Sequence, residues 1–143
     1  MINLISHNEI ETKEIGHKLA DLLANGSVVL LLGDLGAGKT TLVRGVAEAL
    51  DIDDKITSPT FNIMKLYLKG RKVLVHIDAY RLADNNSDIG LEEFIGTEKG
   101  LTFIEWPMYI KELIPEEVIT IDIRNIGDDN REIKIEGLEG CTL

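Results

Sequence analysis

The sequence predicts an α/β fold of three layers, α/β/α, with a mixed central sheet and added antiparallel hairpins. Three observations predict it. Val28-Val29-Leu30-Leu31-Leu32 is a continuous apolar run, the pattern of a strand buried on both faces of a parallel sheet. A glycine-rich loop follows, and then Leu42, Val43, Val46, Ala47 and Leu50 recur at helical spacing. Further along, short apolar or alternating runs come in pairs separated by turn residues, as hairpins require.

The elements follow in order. Glu9 to Ala24 reads as a helix, with Ile15, Leu19, Leu22 and Leu23 on one stripe and Asn25-Gly26 as its stop. Ser27 to Leu32 is the buried strand, Gly33 to Gly38 the loop, and Lys39 to Leu50 the second helix. Ile63 to Leu68 and Lys72 to Ile77 read as two strands joined through Lys69-Gly70-Arg71. Leu91 to Ile95 suggests a short helix, Leu101 to Ile104 a strand, and Met108 to Leu113 one or two helical turns. Val118 to Arg124 alternates, with Ile119, Ile121 and Ile123 on one side, and pairs with Arg131 to Glu136 across Gly127-Asp128-Asp129-Asn130. No repeat, low-complexity tract or linker interrupts the chain, and 143 residues suit one domain spanning 1–143.

Composition narrows the function. Hydrophobic residues make up 44% and aromatics only 5%, so the core is aliphatic. The net charge of −10 argues against a chain that grips naked nucleic acid by itself, because phosphate contacts need Lys and Arg. Any phosphate site must therefore be local. The single cysteine, Cys141, forms no internal disulfide, and the N-terminus Met1-Ile2-Asn3-Leu4 lacks a leader pattern. No apolar run approaches the roughly 20 residues that span a bilayer. A cytoplasmic protein with no membrane association is expected.

The chemistry concentrates in Gly33-Asp34-Leu35-Gly36-Ala37-Gly38-Lys39-Thr40, which matches G-x-x-x-x-G-K-[ST], the Walker A or P-loop pattern. Glycines let the backbone turn tightly and approach phosphate oxygens, successive N–H groups line one concavity, and the next helix aims its positive end there. Lys39 adds a charge for the β/γ-phosphates, and the Thr40 hydroxyl is a Mg²⁺ ligand. The fold is accordingly P-loop NTPase-like.

A P-loop enzyme also needs a carboxylate on the metal side. Asp78 and Glu105 each end an apolar strand, where ligands of open α/β sheets sit, and either suits Mg²⁺ directly or through water. Read on its own, Ser58-Pro59-Thr60-Phe61 is a proline-fixed turn, Trp106 a core or interface residue, and His76 a satisfied buried histidine. His7 and His17 offer no metal spacing. The guanine-reading Asn/Thr-Lys-x-Asp string and the Asp-x-x-Gly switch of GTPases do not occur. A small-molecule kinase needs a lid for which the chain has little room. A minimal ATPase serving a partner remains, with a nucleotide-gated binding module or a small-molecule kinase as alternatives.

Gly33 to Thr41, Thr57-Ser58-Pro59-Thr60-Phe61, His76-Ile77-Asp78-Ala79-Tyr80-Arg81-Leu82 and Glu105-Trp106-Pro107 together resemble the TsaE family in order and spacing, over nearly the whole chain. The resemblance implies an ATPase of bacterial tRNA threonylcarbamoyladenosine biosynthesis. Such a protein works with the TsaB–TsaD heterodimer and meets tRNA only through that complex. It binds and hydrolyses ATP with Mg²⁺ and does not itself transfer the threonylcarbamoyl group. It further implies that Lys39, Thr40 and Thr41 serve phosphate and metal, that Glu105 is the metal-side carboxylate, and that Asp78 belongs to a switch element with Tyr80 and Arg81. Ser58 to Phe61 becomes a loop responding to the γ-phosphate, and Trp106 lies by the nucleotide. Thr12 aligns with a position near the base or ribose and Arg131 with an arginine close to the nucleotide.

Overall fold

Seven strands form one sheet in the order β1-β7-β6-β2-β5-β4-β3 in the computed structural model, which describes residues 1–34, 36–53, 56, 63–80 and 90–138. The strands are β1 (Ile2–Ser6), β2 (Val28–Leu32), β3 (Met64–Tyr67), β4 (Val73–Asp78), β5 (Gly100–Glu105), β6 (Ile119–Gly127) and β7 (Asn130–Glu136). The four central strands, β4, β5, β2 and β6, run parallel. β3 is antiparallel to β4, β7 to β6 and β1 to β7, so the sheet is mixed and both hairpins read from the sequence are present.

Helices α1 (Glu9–Leu22) and α2 (Lys39–Ala49) cover one face. Their apolar stripes meet Val29, Leu31, Leu74, Leu101, Phe103, Ile121, Ile123, Ile133 and Ile135 in the larger core. The other face is covered by two 3₁₀ segments, Leu91–Glu93 and Pro107–Leu113, whose Leu91 and Ile110 pack on Val28, Val75, Ile77 and Ile104. Among the described residues the third layer is therefore short 3₁₀ turns rather than α-helices. Apolar residues on both sides of the central strands explain why their sequences read as unbroken hydrophobic runs.

Local chemistry sets the ends. Asn8 caps α1 by accepting the Glu11 N–H at 2.9 Å. The helix stops two residues short of Ala24, because Leu23 takes extended backbone and Gly26 turns the chain at φ 91°. β1 was absent from the sequence reading; it is a short edge strand that pairs Ile2 with Ile135 and Leu4 with Ile133. The β6–β7 turn is tighter than expected, with Gly127 already paired to Asn130. Among the described residues no helix is long and apolar enough to cross a membrane.

Candidate functional site

β2 lies at the switch of the strand order: β5, β4 and β3 extend on one side and β6, β7 and β1 on the other. The crevice outside the carboxyl ends of such strands is where ligands bind in α/β sheets. The loop after β2 turns there. Gly33 has φ 144°, and a Cβ on it would run into the Ile123 carbonyl oxygen, so β6 packs against the loop base only because this residue is glycine. Gly38, at φ 108°, opens α2 without any side-chain cap. The first-turn N–H groups of α2, which have no intrahelical partner, are thus left for a ligand.

Lys39 turns back into this concavity and is 7% exposed. Its Nζ donates to the Gly33 carbonyl at 2.8 Å and lies 3.3 Å from Glu105 Oε1. It also stands 5.2 Å from the centre of the Trp106 ring, in a cation–π contact. Glu105 reaches the site because β5 is the parallel neighbour of β2 and pairs it opposite Leu31. Its other oxygen, Oε2, lies 2.8 Å from His76 Nε2. Burial pushes the Glu105 carboxyl up, but the hydrogen bond and charge of His76 and the charge of Lys39 outweigh it. The net result is a carboxyl held below the usual carboxylate range, ionised at neutral pH.

Trp106 follows at φ 57°, a left-handed conformation that costs a non-glycine residue about 1–3 kcal/mol. Its ring is braced by Tyr80, centroids 5.1 Å apart, and by Tyr109 at 6.4 Å. Asp78 pairs with Glu105 across β4 and β5 and is 4% exposed. Its Oδ1 accepts the Tyr80 N–H at 3.0 Å, turning the chain after β4.

Two adjoining cavities share Gly36 and Lys39. One, of about 240 Å³, is lined by Thr12, Gly38, Thr40, Thr41, Glu105 and Arg131 among others. It gathers the predicted phosphate and metal residues with the two assigned only by resemblance. Thr12, buried in α1, exchanges a 2.7 Å hydrogen bond with Ser6. Arg131 donates to the Asn130 carbonyl at 3.1 Å beside Gly38. The other cavity, of about 560 Å³, is bounded by Gly33, Asp34, Ala37, Trp106, Met108, Asp122 and Arg124. The expected site residue Leu35, the Ser58–Phe61 loop, Arg81 and Cys141 lie outside the described residues.

Sequence reasoning passed over Asp122, Arg124 and Met108. The rule that picked out Asp78 and Glu105, carboxyl ends of parallel strands, extends to Asp122 and Arg124, because the parallel pairing of β6 with β2 ends at Asp122 although β6 itself runs on to Gly127. The alternation of that strand drew attention to its hairpin instead. The apolar run around His76 marks it as buried, but its bond to Glu105 requires the register of β4 on β5, which no local pattern reveals. Chemically the site offers backbone donors, a lysine and a threonine hydroxyl to an anion, and an ionised buried carboxylate to a cation. The orphan N–H groups suit a phosphate, and the Thr40 hydroxyl and Glu105 carboxylate, which line the same cavity, suit a divalent ion; among the described residues no group of three or more His, Cys, Asp or Glu is placed to hold one, here or elsewhere.

The family model for threonylcarbamoyl adenosine biosynthesis protein TsaE matches residues 6–133. The chain is 44% identical over 126 residues to the tRNA threonylcarbamoyladenosine biosynthesis protein TsaE of Bacillus subtilis, covering 88% of this chain and 79% of that one. It is 42% identical over 134 residues to the protein of that name from Treponema pallidum, covering 92% and 97%. Among solved structures it is similar to the crystal structure of Bacillus subtilis YdiB, with a TM-score of 0.81, 36% identity, and coverage of 96% of this chain and 85% of that one. With the P-loop, the His76–Asp78 strand end and Glu105-Trp106 assembled at one crevice, and with these matches spanning nearly its full length, the chain belongs to the TsaE family.

Proposed function

We propose that this chain, acting as one domain, binds ATP with Mg²⁺ at Gly33–Thr41 and hydrolyses it in the service of tRNA threonylcarbamoyladenosine formation, together with a TsaB–TsaD pair. The observation that carries the reading is the meeting of Lys39 and Glu105 at 3.3 Å, nearly buried, where β2 and β5 end. A structural ion pair in that position buries two charges at a large desolvation cost. A P-loop lysine and a metal-side carboxylate belong there by function.

Each residue then has a task. Backbone N–H groups from Gly36 to Thr41 and the end of α2 hold phosphate oxygens. Lys39 leaves the Gly33 carbonyl and Glu105 and moves its ammonium to the β/γ-phosphates. Thr40 would supply a hydroxyl and Glu105 Oε1 a carboxylate oxygen to the metal side, directly or through water. Bound Mg²⁺ would neutralise charge building on the transferred phosphoryl group. Asp78, adjacent in register, holds the turn into Tyr80, so that a change at Glu105 is passed to the chain beyond β4. Thr12 and Arg131 line the nucleoside side, and Trp106 closes the opposite side.

The net charge of −10 supports docking on a protein partner and not on tRNA directly, and the reading places the work in the cytoplasm. The test is ATP hydrolysis measured with and without the TsaB–TsaD pair and tRNA. Slow hydrolysis by the chain alone and a changed rate with the pair are expected. A pair that modifies tRNA through many turnovers without this chain, and ignores its addition, would defeat the reading. A second reading, a nucleotide-gated binding module with little hydrolysis, draws on the closed Lys39–Glu105 contact, which nucleotide has to open. Single-turnover hydrolysis with the partners present separates the two.

A further inference from the structure

We propose that His76 is a positioning residue for Glu105: it tethers Oε2 so that Oε1 faces the phosphate loop. The inference rests on the ATPase reading above and adds a part to it. His76 lies in the middle of β4, is fully buried, and shares the helix-covered face with Leu74 and Asp78. β4 pairs with β5 in register, His76 opposite Phe103 and Asp78 opposite Glu105. That register sets the imidazole beside Glu105, with Nε2 2.8 Å from Oε2.

A carboxylate oxygen only accepts, so Nε2 donates. Nδ1 is buried and has no hydrogen-bond partner among the described residues. Among the described residues the one polar contact the ring makes is therefore to Glu105. An aliphatic side chain at this place would fill an apolar strand without burying an unsatisfied nitrogen. The cost of the histidine is offset only through what it does for that carboxylate.

The two Glu105 oxygens are divided, Oε2 to His76 and Oε1 to Lys39. When Lys39 turns to phosphate, Oε1 is released toward the site, while Oε2 keeps its tether. Without the tether a three-torsion side chain would be free to swing away from the metal side. Outer-shell partners of metal-binding carboxylates act in this way, and their loss costs about 10–100-fold in metal affinity or activity.

The experiment uses two variants of the full chain. His76→Phe fills the volume without a donor, and His76→Gln places an amide nitrogen roughly where Nε2 stands. For each, kcat and KM for ATP, the half-saturating Mg²⁺ concentration, and ADP affinity in EDTA are measured, with circular dichroism as the check of folding. His76→Phe is expected to lose about 10–100-fold in kcat, to need more Mg²⁺, and to keep its metal-free ADP affinity. His76→Gln is expected to regain most of the loss. A folded His76→Phe protein with unchanged kcat and Mg²⁺ demand overturns the proposal, and so does a His76→Gln protein as impaired as His76→Phe. ¹⁵N NMR of the His76 ring in the nucleotide-free chain judges the tether without any hydrolysis: a proton on Nε2 that exchanges faster in Glu105→Ala supports it, and a bare Nε2 refutes it. Absence of hydrolysis by the unmodified chain and its partners would sink the ATPase reading instead, and the NMR result would still decide the tether.

Discussion

Replacing Gly45 by alanine tests how α2 is held in place. Gly45 lies in α2 against the backbone of α1. A Cβ there would run into the Lys13 carbonyl oxygen and stand 2.8 Å from Lys13 Cα and 2.9 Å from its carbonyl carbon. Gly16 is the reciprocal contact, its added Cβ 2.9 Å from Val46 N. The clashing atoms are main chain and cannot rotate away, so the helices must part by about 1 Å. Alanine gains about 1 kcal/mol in helix propensity over glycine. Overpacking costs about 1–3 kcal/mol, and the immovable backbone puts this site at the upper end, so a net loss of about 2 kcal/mol is expected. For a chain of this length that lowers the melting temperature by about 8 °C. Urea unfolding followed by circular dichroism should give a lower midpoint at unchanged slope. A midpoint equal to or above that of the unmodified chain would refute the close crossing. Because α2 begins at Lys39 and α1 carries Thr12, the same separation widens the smaller cavity, and nucleotide affinity should fall with stability.

The remaining predictions concern the site. Glu105→Ala should lower Mg²⁺-dependent hydrolysis by about 100-fold or more, and unchanged hydrolysis would transfer the metal role to Asp78. The depressed Glu105 carboxyl stabilises the fold above its ordinary value of 4.5, and that contribution is lost as the pH falls through the lower folded value. The stability gap between the unmodified chain and Glu105→Gln, from denaturant titrations, should therefore be constant near neutrality and close on acidification below 4.5; a gap that widens there would contradict the assignment. Trp106 is the one tryptophan, and its ring carries the Lys39 ammonium at 5.2 Å. Its emission should change saturably as MgATP draws Lys39 away, and binding seen by calorimetry without any emission change would refute the contact's loss.

Much of this was legible in the sequence because local chemistry decides it. Val28–Leu32 and the stripe of α2 are read from period alone, and the Gly33–Thr40 string fixes the turn between them. The β3–β4 and β6–β7 hairpins follow from alternation around short turns. β1 escaped because it has only Ile2 and Leu4 as an alternating pair, with Ile5 out of phase and exposed, and its partner β7 lies at the far end of the chain. Met108 to Leu113 reads as one or two helical turns, and the structure has two 3₁₀ turns over Pro107–Leu113, parted by Ile110 at φ −135°. Lys39, Thr40 and Glu105, singled out by motif and strand-end position, do line one cavity. The tie of His76 to Glu105 depends on the register of β4 against β5, which two apolar runs do not specify by themselves.

The most direct test of the central claim is calorimetric titration of MgATP into the full chain and into Lys39→Ala, both checked for folding. The account predicts saturable binding by the unmodified chain and a loss of at least about 10-fold in affinity for Lys39→Ala, the scale of one charge-assisted hydrogen bond to phosphate. Equal binding by the two proteins, or none by the unmodified chain, would contradict a nucleotide site at Gly33–Thr41.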